Sequence, residues 1–234
     1  TLTKCDEWKQ KSKVAHRPLS YAIGARMGTM PQPPIWNDPR AMEPITDRPG
    51  LPRVLLIGDS ISIGYTLFVR EMLKDAANVH RIPENGGPTR NGVEKINQWL
   101  GAGEWRVIHF NFGLHDIRRL DGGQWQVSYS EYEGNLHRIV ERLKKTGARL
   151  IFAATTPVPE GKLSPPRVPG DEVLFNEIAA RVMKEQGVAW NDLHGHAKSH
   201  LAEWQVPANV HFHEAGSRAL AEQVARAIRA VLTP

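Results

Sequence analysis

A single cysteine, Cys5, among 234 residues excludes an internal disulfide. It lies in a polar terminal segment, which is no setting for a nucleophile. No apolar stretch approaches the ~20 residues a membrane helix requires, so no membrane partner is expected. The first residues, from Thr1, are polar and charged and are not expected to act as a signal peptide, which leaves room for a cleaved one. Zinc-finger spacing, an aromatic RNA-binding signature and long basic runs are also missing. No nucleic-acid partner is therefore expected, although the net charge of +5 mildly favours an anionic one. No internal repeat is evident.

What is present is unevenly distributed. Seven of the 17 prolines (18, 31, 33, 34, 39, 44 and 49) fall in the first fifty residues and break any long helix there. Residues 1–50 therefore read as an irregular, proline-rich arm with one short helix at its start and Trp8, Tyr21 and Trp36 as anchors. Residues 51–234 are the length of one α/β domain.

From Arg53 the hydrophobic period alternates. Arg53–Ile57, Ala77–Pro83, Arg106–Gly113, Arg149–Ala154 and Val188–Trp190 are short apolar runs, expected as strands buried on both faces. Helical spacing follows each of them: from Tyr65, over Gly92–Leu100, over Ser130–Thr146, around Phe175–Met183, and over His196–Trp204 with a last helix from Glu214. Strands alternating with helices require crossover connections. The expected fold is α/β, a flavodoxin-like three-layer α/β/α sandwich with a five-stranded parallel sheet. The five prolines between Pro157 and Pro169 make that segment a long loop above the sheet edge.

Four short stretches then fall at strand ends or just before the last helix: Gly58-Asp59-Ser60, Asn85-Gly86-Gly87-Pro88-Thr89, Gly113-Leu114-His115-Asp116 and Asn209-Val210-His211-Phe212. In an open α/β sheet those positions project into one crevice. A serine at a strand-to-helix elbow, donors for an anion and a histidine base are the parts that acyl transfer needs. The order and spacing over residues 53–232 resemble the SGNH (GDSL-type) hydrolases. That resemblance implies Ser60 as nucleophile and His211 as base. It implies an oxyanion hole formed by the N–H of Ser60, the N–H of Gly87 (Gly86 being the alternative) and the side chain at position 115. It implies no cofactor.

Two positions depart from the family pattern. Block III has His115 where the family has asparagine; a neutral imidazole still donates one N–H if Asp116 or Asn111 fixes its tautomer. Ala208 stands where the family has the aspartate that orients the base. Asp192, Asp116, a backbone carbonyl or another substitute is then needed to hold His211. A rival reading takes His194, His196, His200, His211 and His213 as zinc ligands, but no cysteine or carboxylate completes a familiar set. No metal is expected.

The loops expected to border the crevice carry Arg90, Arg118, Trp125 and the run Pro165-Pro166-Arg167. Arginines beside a tryptophan suit an acylated saccharide, with the ring stacked on Trp125 and guanidinium groups forking to hydroxyls or a carboxylate. The expected activity is removal of a small acyl group, most simply acetyl, from a carbohydrate. The alternatives are a glycan-binding protein without turnover and a lipid or thioester hydrolase. The Gly-Leu-His-Asp variant of block III is associated with bacterial polysaccharide degradation, which favours a secreted or periplasmic location.

Overall fold

The computed structural model describes residues 34–232. The first 33 residues of the arm, with Cys5, Trp8, Tyr21 and the short helix expected there, lie outside them. Five parallel strands form one sheet in the order β2-β1-β3-β4-β5. These are β1 (Arg53–Ile57), β2 (Asn78–Arg81), β3 (Val107–Phe110), β4 (Arg149–Ala153) and β5 (Ala189–Asn191). This is the flavodoxin-like doubly wound order, and its switch point lies between β1 and β3, whose residues Ile57 and Phe110 stand in register.

The central strands β1, β3 and β4 are mainly apolar because helices cover both faces. Val54, Leu56, Ile57, Val107, Ile108 and Phe110 have no exposed surface. One face carries α1 (Ser60–Leu73) and α7 (Glu214–Leu232), which pack on each other, with α5 (Leu193–Lys198) and α6 (Leu201–Trp204) beside α7. The other carries α2 (Thr89–Leu100), α3 (Tyr129–Lys144) and α4 (Asp171–Glu185). Each fully buried Leu, Ile or Phe contributes about 1.5–3 kcal/mol. Gly92 lets α2 close on α3: a Cβ there would lie 2.6 Å from Ile139 Cδ1 and 2.8 Å from Phe112 Cζ.

Boundaries shift from the sequence reading where caps and chain breaks intervene. Helix α2 starts three residues earlier than expected, because Thr89 is held by Asp116 from across the sheet edge. The single helix expected over 196–204 is two, interrupted at His200.

Residues 34–50 belong to the same compact unit as the sheet. Two 3₁₀ turns, Ile35–Asn37 and Pro39–Ala41, lie along α1. Arg70 donates to the Arg40 and Glu43 carbonyls at 3.0 and 3.1 Å, and Asn78 exchanges hydrogen bonds with the backbone of Arg48.

Trp125 and Arg90, both expected to face substrate, serve the fold instead. The Arg119 guanidinium lies over the Trp125 ring and forks to Asp171 at the start of α4, and Trp125 Nε1 donates to the same carboxylate at 3.0 Å. Asp171 is nearly enclosed and Arg119 mostly so. Asp171→Ala therefore strands a guanidinium and an indole N–H, and is expected to cost about 3 kcal/mol. In a domain of this size that lowers Tm by roughly 6–12 °C. A calorimetric shift below two or three degrees would show that the pair does not hold the α4 entry. Arg90 pairs on the surface with Glu131 of α3, Nη2 to Oε2 at 2.6 Å.

Candidate active site

The first strand delivers Ser60. The chain turns sharply after Ile57, and only glycine fits at 58, since a Cβ would stand 2.7 Å from Ser62 Cβ. Asp59 then caps α1, its Oδ1 accepting from Ile61 N–H at 2.9 Å. Ser60 is the first residue of α1, where a backbone N–H has no helical acceptor and the helix dipole is positive. Beneath the elbow, the buried guanidinium of Arg81 donates to the carbonyls of Gly58, Asp59, Ile82 and Glu84. It ties the first loop of the site to the second with no carboxylate partner among the described residues, and burial lowers it to about 10.

The chain's far end delivers His211. Its Nε2 lies 2.8 Å from Ser60 Oγ, and its Nδ1 lies 2.7 Å from Asn209 Oδ1. The backbone N–H of His211 donates to the same Oδ1 at 3.0 Å. An N–H cannot donate to an amide nitrogen, so the Asn209 atom facing the ring is the oxygen. Nδ1 therefore carries the proton, and Nε2 presents its lone pair to the Ser60 hydroxyl.

Of the alternatives, Asp192, Asp116, a backbone carbonyl or another substitute, it is another substitute, Asn209, that holds the ring. Asp192 caps α5 through Gly195 N–H at 2.8 Å. Asp116 is fully buried and accepts from Thr89 N–H at 2.9 Å and Thr89 Oγ1 at 2.5 Å. Burial pushes Asp116 up to about 7. Neither carboxylate hydrogen-bonds to His211.

A turn from Val206 to Asn209 sets up this geometry, closed by a 3.1 Å bond from Asn209 N–H to the Val206 carbonyl. Its third residue, Ala208, has φ +50°, a left-handed conformation that costs a residue with a Cβ about 1 kcal/mol. Above the ring lies Trp36, stacked on His211 with centroids 4.7 Å apart and planes 9° from parallel. Burial lowers the imidazole to about 4, against the pull of Asp59 and with the help of Arg167 and His115.

The two glycine N–H groups expected to bind an anion already have acceptors. Gly87 N–H is engaged by Asn85 Oδ1 at 3.0 Å, and Gly86 N–H by the Gly58 carbonyl at 2.9 Å. Because the Gly87 N–H fixes Oδ1, the Nδ2 of Asn85 is left free of any partner among the described residues, and Asn85 lines the cleft. His115 also lines it. Asn111 is committed to the Ala153 carbonyl and Asp116 to Thr89, so neither fixes the His115 tautomer. Burial lowers His115, keeping it neutral with one N–H to give.

The cleft that joins these groups has a volume of about 470 Å³. Arg118, Ser164 and Arg167 close it from the block III loop and the proline-rich loop. Trp36 and Asn37 close it from the arm. The other histidines are dispersed: His194 faces Glu172, His196 the Ala219 carbonyl, and His200 stacks on Trp204. Among the described residues, no three His, Cys, Asp or Glu side chains converge on one point.

Residues 56–219 match the model of the GDSL-like lipase/acylhydrolase family, over more than two thirds of the chain. The chain belongs to that family. The GDSL-like hydrolase is similar in structure to an acetyl xylan esterase, AlAXEase, at 15% identity and a TM-score of 0.65, covering 75% of this chain and 99% of the other. It is similar to a lipase/acylhydrolase from Enterococcus faecalis at 18% identity and a TM-score of 0.66, covering 77% and 96%. It is also similar to Axe2, an acetylxylan esterase from Geobacillus stearothermophilus, at 18% identity and a TM-score of 0.61, covering 76% and 94%. No curated protein matches it.

In this GDSL-like hydrolase the residues that sequence reasoning underrated are Asn209, Asn85, Trp36 and Arg167. For Asn209 a local signal exists: Asn-x-His is the spacing of an Asx turn, in which a side-chain oxygen folds back onto the second residue along.

Proposed function

We propose that the protein is a serine esterase that removes a small acyl group, acetyl in the simplest case, from a carbohydrate. The observation that carries this reading is the line Ser60 Oγ, His211 Nε2, His211 Nδ1, Asn209 Oδ1, with contacts of 2.8 and 2.7 Å. Ser60 attacks the ester carbonyl as His211 Nε2 takes its proton. The Ser60 N–H, the His115 ring N–H and Asn85 Nδ2 stabilise the oxyanion. His211 returns the proton to the departing sugar hydroxyl, and water, activated by the same imidazole, releases the acid. Asn209 supplies the tautomer but no charge. The Trp36 face supports the imidazolium as it forms, a contact worth about 0.5–2 kcal/mol.

The small-acyl preference is supported by a cleft whose wall includes Asn37, Asn85, His115, Arg118, Ser164 and Arg167, and by the acetyl xylan esterases among the structural neighbours. A polysaccharide substrate implies a secreted or periplasmic enzyme. The test compares kcat/KM for p-nitrophenyl acetate, butyrate and octanoate with acetyl release from acetylated xylo-oligosaccharides. Acetate is expected to exceed octanoate by at least tenfold, and the oligosaccharides to be deacetylated. Faster cleavage of octanoate, with no release from the sugars, would sink the reading in favour of a lipid-directed enzyme.

A further inference from the structure

The cleft holds two guanidinium groups that the ester chemistry does not use. Arg167 is only 8% exposed, yet it has no carboxylate partner among the described residues. Its Nε donates to the Leu114 carbonyl at 2.6 Å and its Nη1 to the Pro165 carbonyl at 3.3 Å. These bonds hold the group rigidly and leave Nη2 unspent in the cleft wall. Arg118, on the facing loop, has no side-chain hydrogen bond or ion pair among the described residues, and it lines the same cleft. The contrast with other arginines is informative. Arg119 and Arg90 each fork to a carboxylate, and Arg81 is spent on four carbonyls.

Among the described residues no acidic side chain lines the cleft, and Asp59, whose charge reaches Arg167, makes no ion pair with it. Burial, together with the nearby Arg118 charge, lowers Arg167 to about 10. Enclosing an unpaired cation is costly, so such groups ordinarily carry a partner.

We propose that Arg118 and Arg167 form an anion subsite beside Ser60, and that the substrate is an acylated acidic saccharide whose carboxylate lies next to the ester. A carboxylate matches the planar fork of a guanidinium, and the fixed pose of Arg167 limits the ordering lost on binding. The subsite would set which sugar ester reaches Ser60 and in which orientation, while the acyl chemistry stays with Ser60 and His211. This inference takes its substrate from the esterase reading, but binding tests it without turnover.

Two measurements decide it. The first is the ratio of kcat/KM for a mono-O-acetylated methyl glucuronoside to that for the matching acetylated methyl glucoside. The second is equilibrium binding of D-glucuronate and D-glucose. The acid is expected to be favoured roughly ten- to hundredfold in both, less at high salt. Arg118→Ala, which removes no bond of the fold, should bring the ratio close to one. Arg167→Lys keeps the charge but not the fork, and should lower the ratio at least several-fold with Tm held. Equal treatment of acid and neutral sugar by the wild type, or a preference that survives both variants, overturns the proposal. A wild type that cleaves no ester but binds glucuronate through Arg118 would overturn the esterase reading and leave the subsite standing.

Discussion

Ser60→Ala is expected to lower kcat on p-nitrophenyl acetate by ~10⁴ or more, with Tm unchanged within about a degree. The Ser60 hydroxyl is bonded to His211 Nε2 and to nothing else among the described residues, so its loss leaves no enclosed partner unsatisfied in the core. Alanine is also the most favourable residue within a helix, and position 60 is the first of α1. The variant therefore separates chemistry from folding. What survives is the rate from the anion donors acting on water, about 10³–10⁴ over the uncatalysed reaction in a comparable serine hydrolase. A loss under tenfold would mean that acyl transfer does not pass through Ser60, and the Ser60–His211 contact would then need another explanation.

Asn209→Ala is expected to lower kcat by ~10²–10³, and Asn209→Asp to move the pH profile. The alanine variant removes the acceptor of both the His211 ring and its backbone N–H, leaving the tautomer unfixed. A mispositioned tautomer costs about 10⁴ where a carboxylate is replaced, and less is at stake where the native partner is neutral. The pH argument follows from the sign of the shift. The base must be neutral, and burial holds its pKa near 4, below the ordinary imidazole value. Wild-type kcat/KM should thus stay level from neutral pH down to about 5, then fall tenfold per unit below 4. A carboxylate at 209 favours the imidazolium and raises that limb by roughly 1–3 units. A wild-type limb near pH 6.5, or one that Asn209→Asp leaves in place, would show that burial and a neutral partner do not set the basicity of His211.

Much of the fold was legible because parallel strands buried on both faces leave continuous apolar runs. Val54–Ile57, Val107–Phe110 and Leu150–Ala153 are such runs. Ser60 and His211 were legible because an elbow and a pre-helix loop are local features. What the sequence could not show is who pairs with whom. Arg90 and Trp125 looked available for a substrate because Glu131 and Asp171 lie 41 and 46 residues along the chain. Arg167 looked no different from them, but among the described residues it forms no ion pair. Asn209 lies two residues before His211 and not three, where the family's aspartate stands, and an Asx turn shortens the reach by that one residue. Gly87 fits its assigned role by position, but the adjacent Asn85 takes up its N–H.

The Trp36–His211 stack brings together two residues 175 positions apart in the chain, one ahead of the first strand and one just before the last helix. Neither end can complete the site alone. The cleft forms only when the opening segment is laid across α1 and the final turn is in place, a closure of high contact order. A detachment of residues 34–50 would bare one face of the base to water and break the bonds that Arg70 and Asn78 make to this segment. Catalytic competence is therefore a property of chain closure rather than of the sandwich itself, and it is the first thing a local opening at either end would take away.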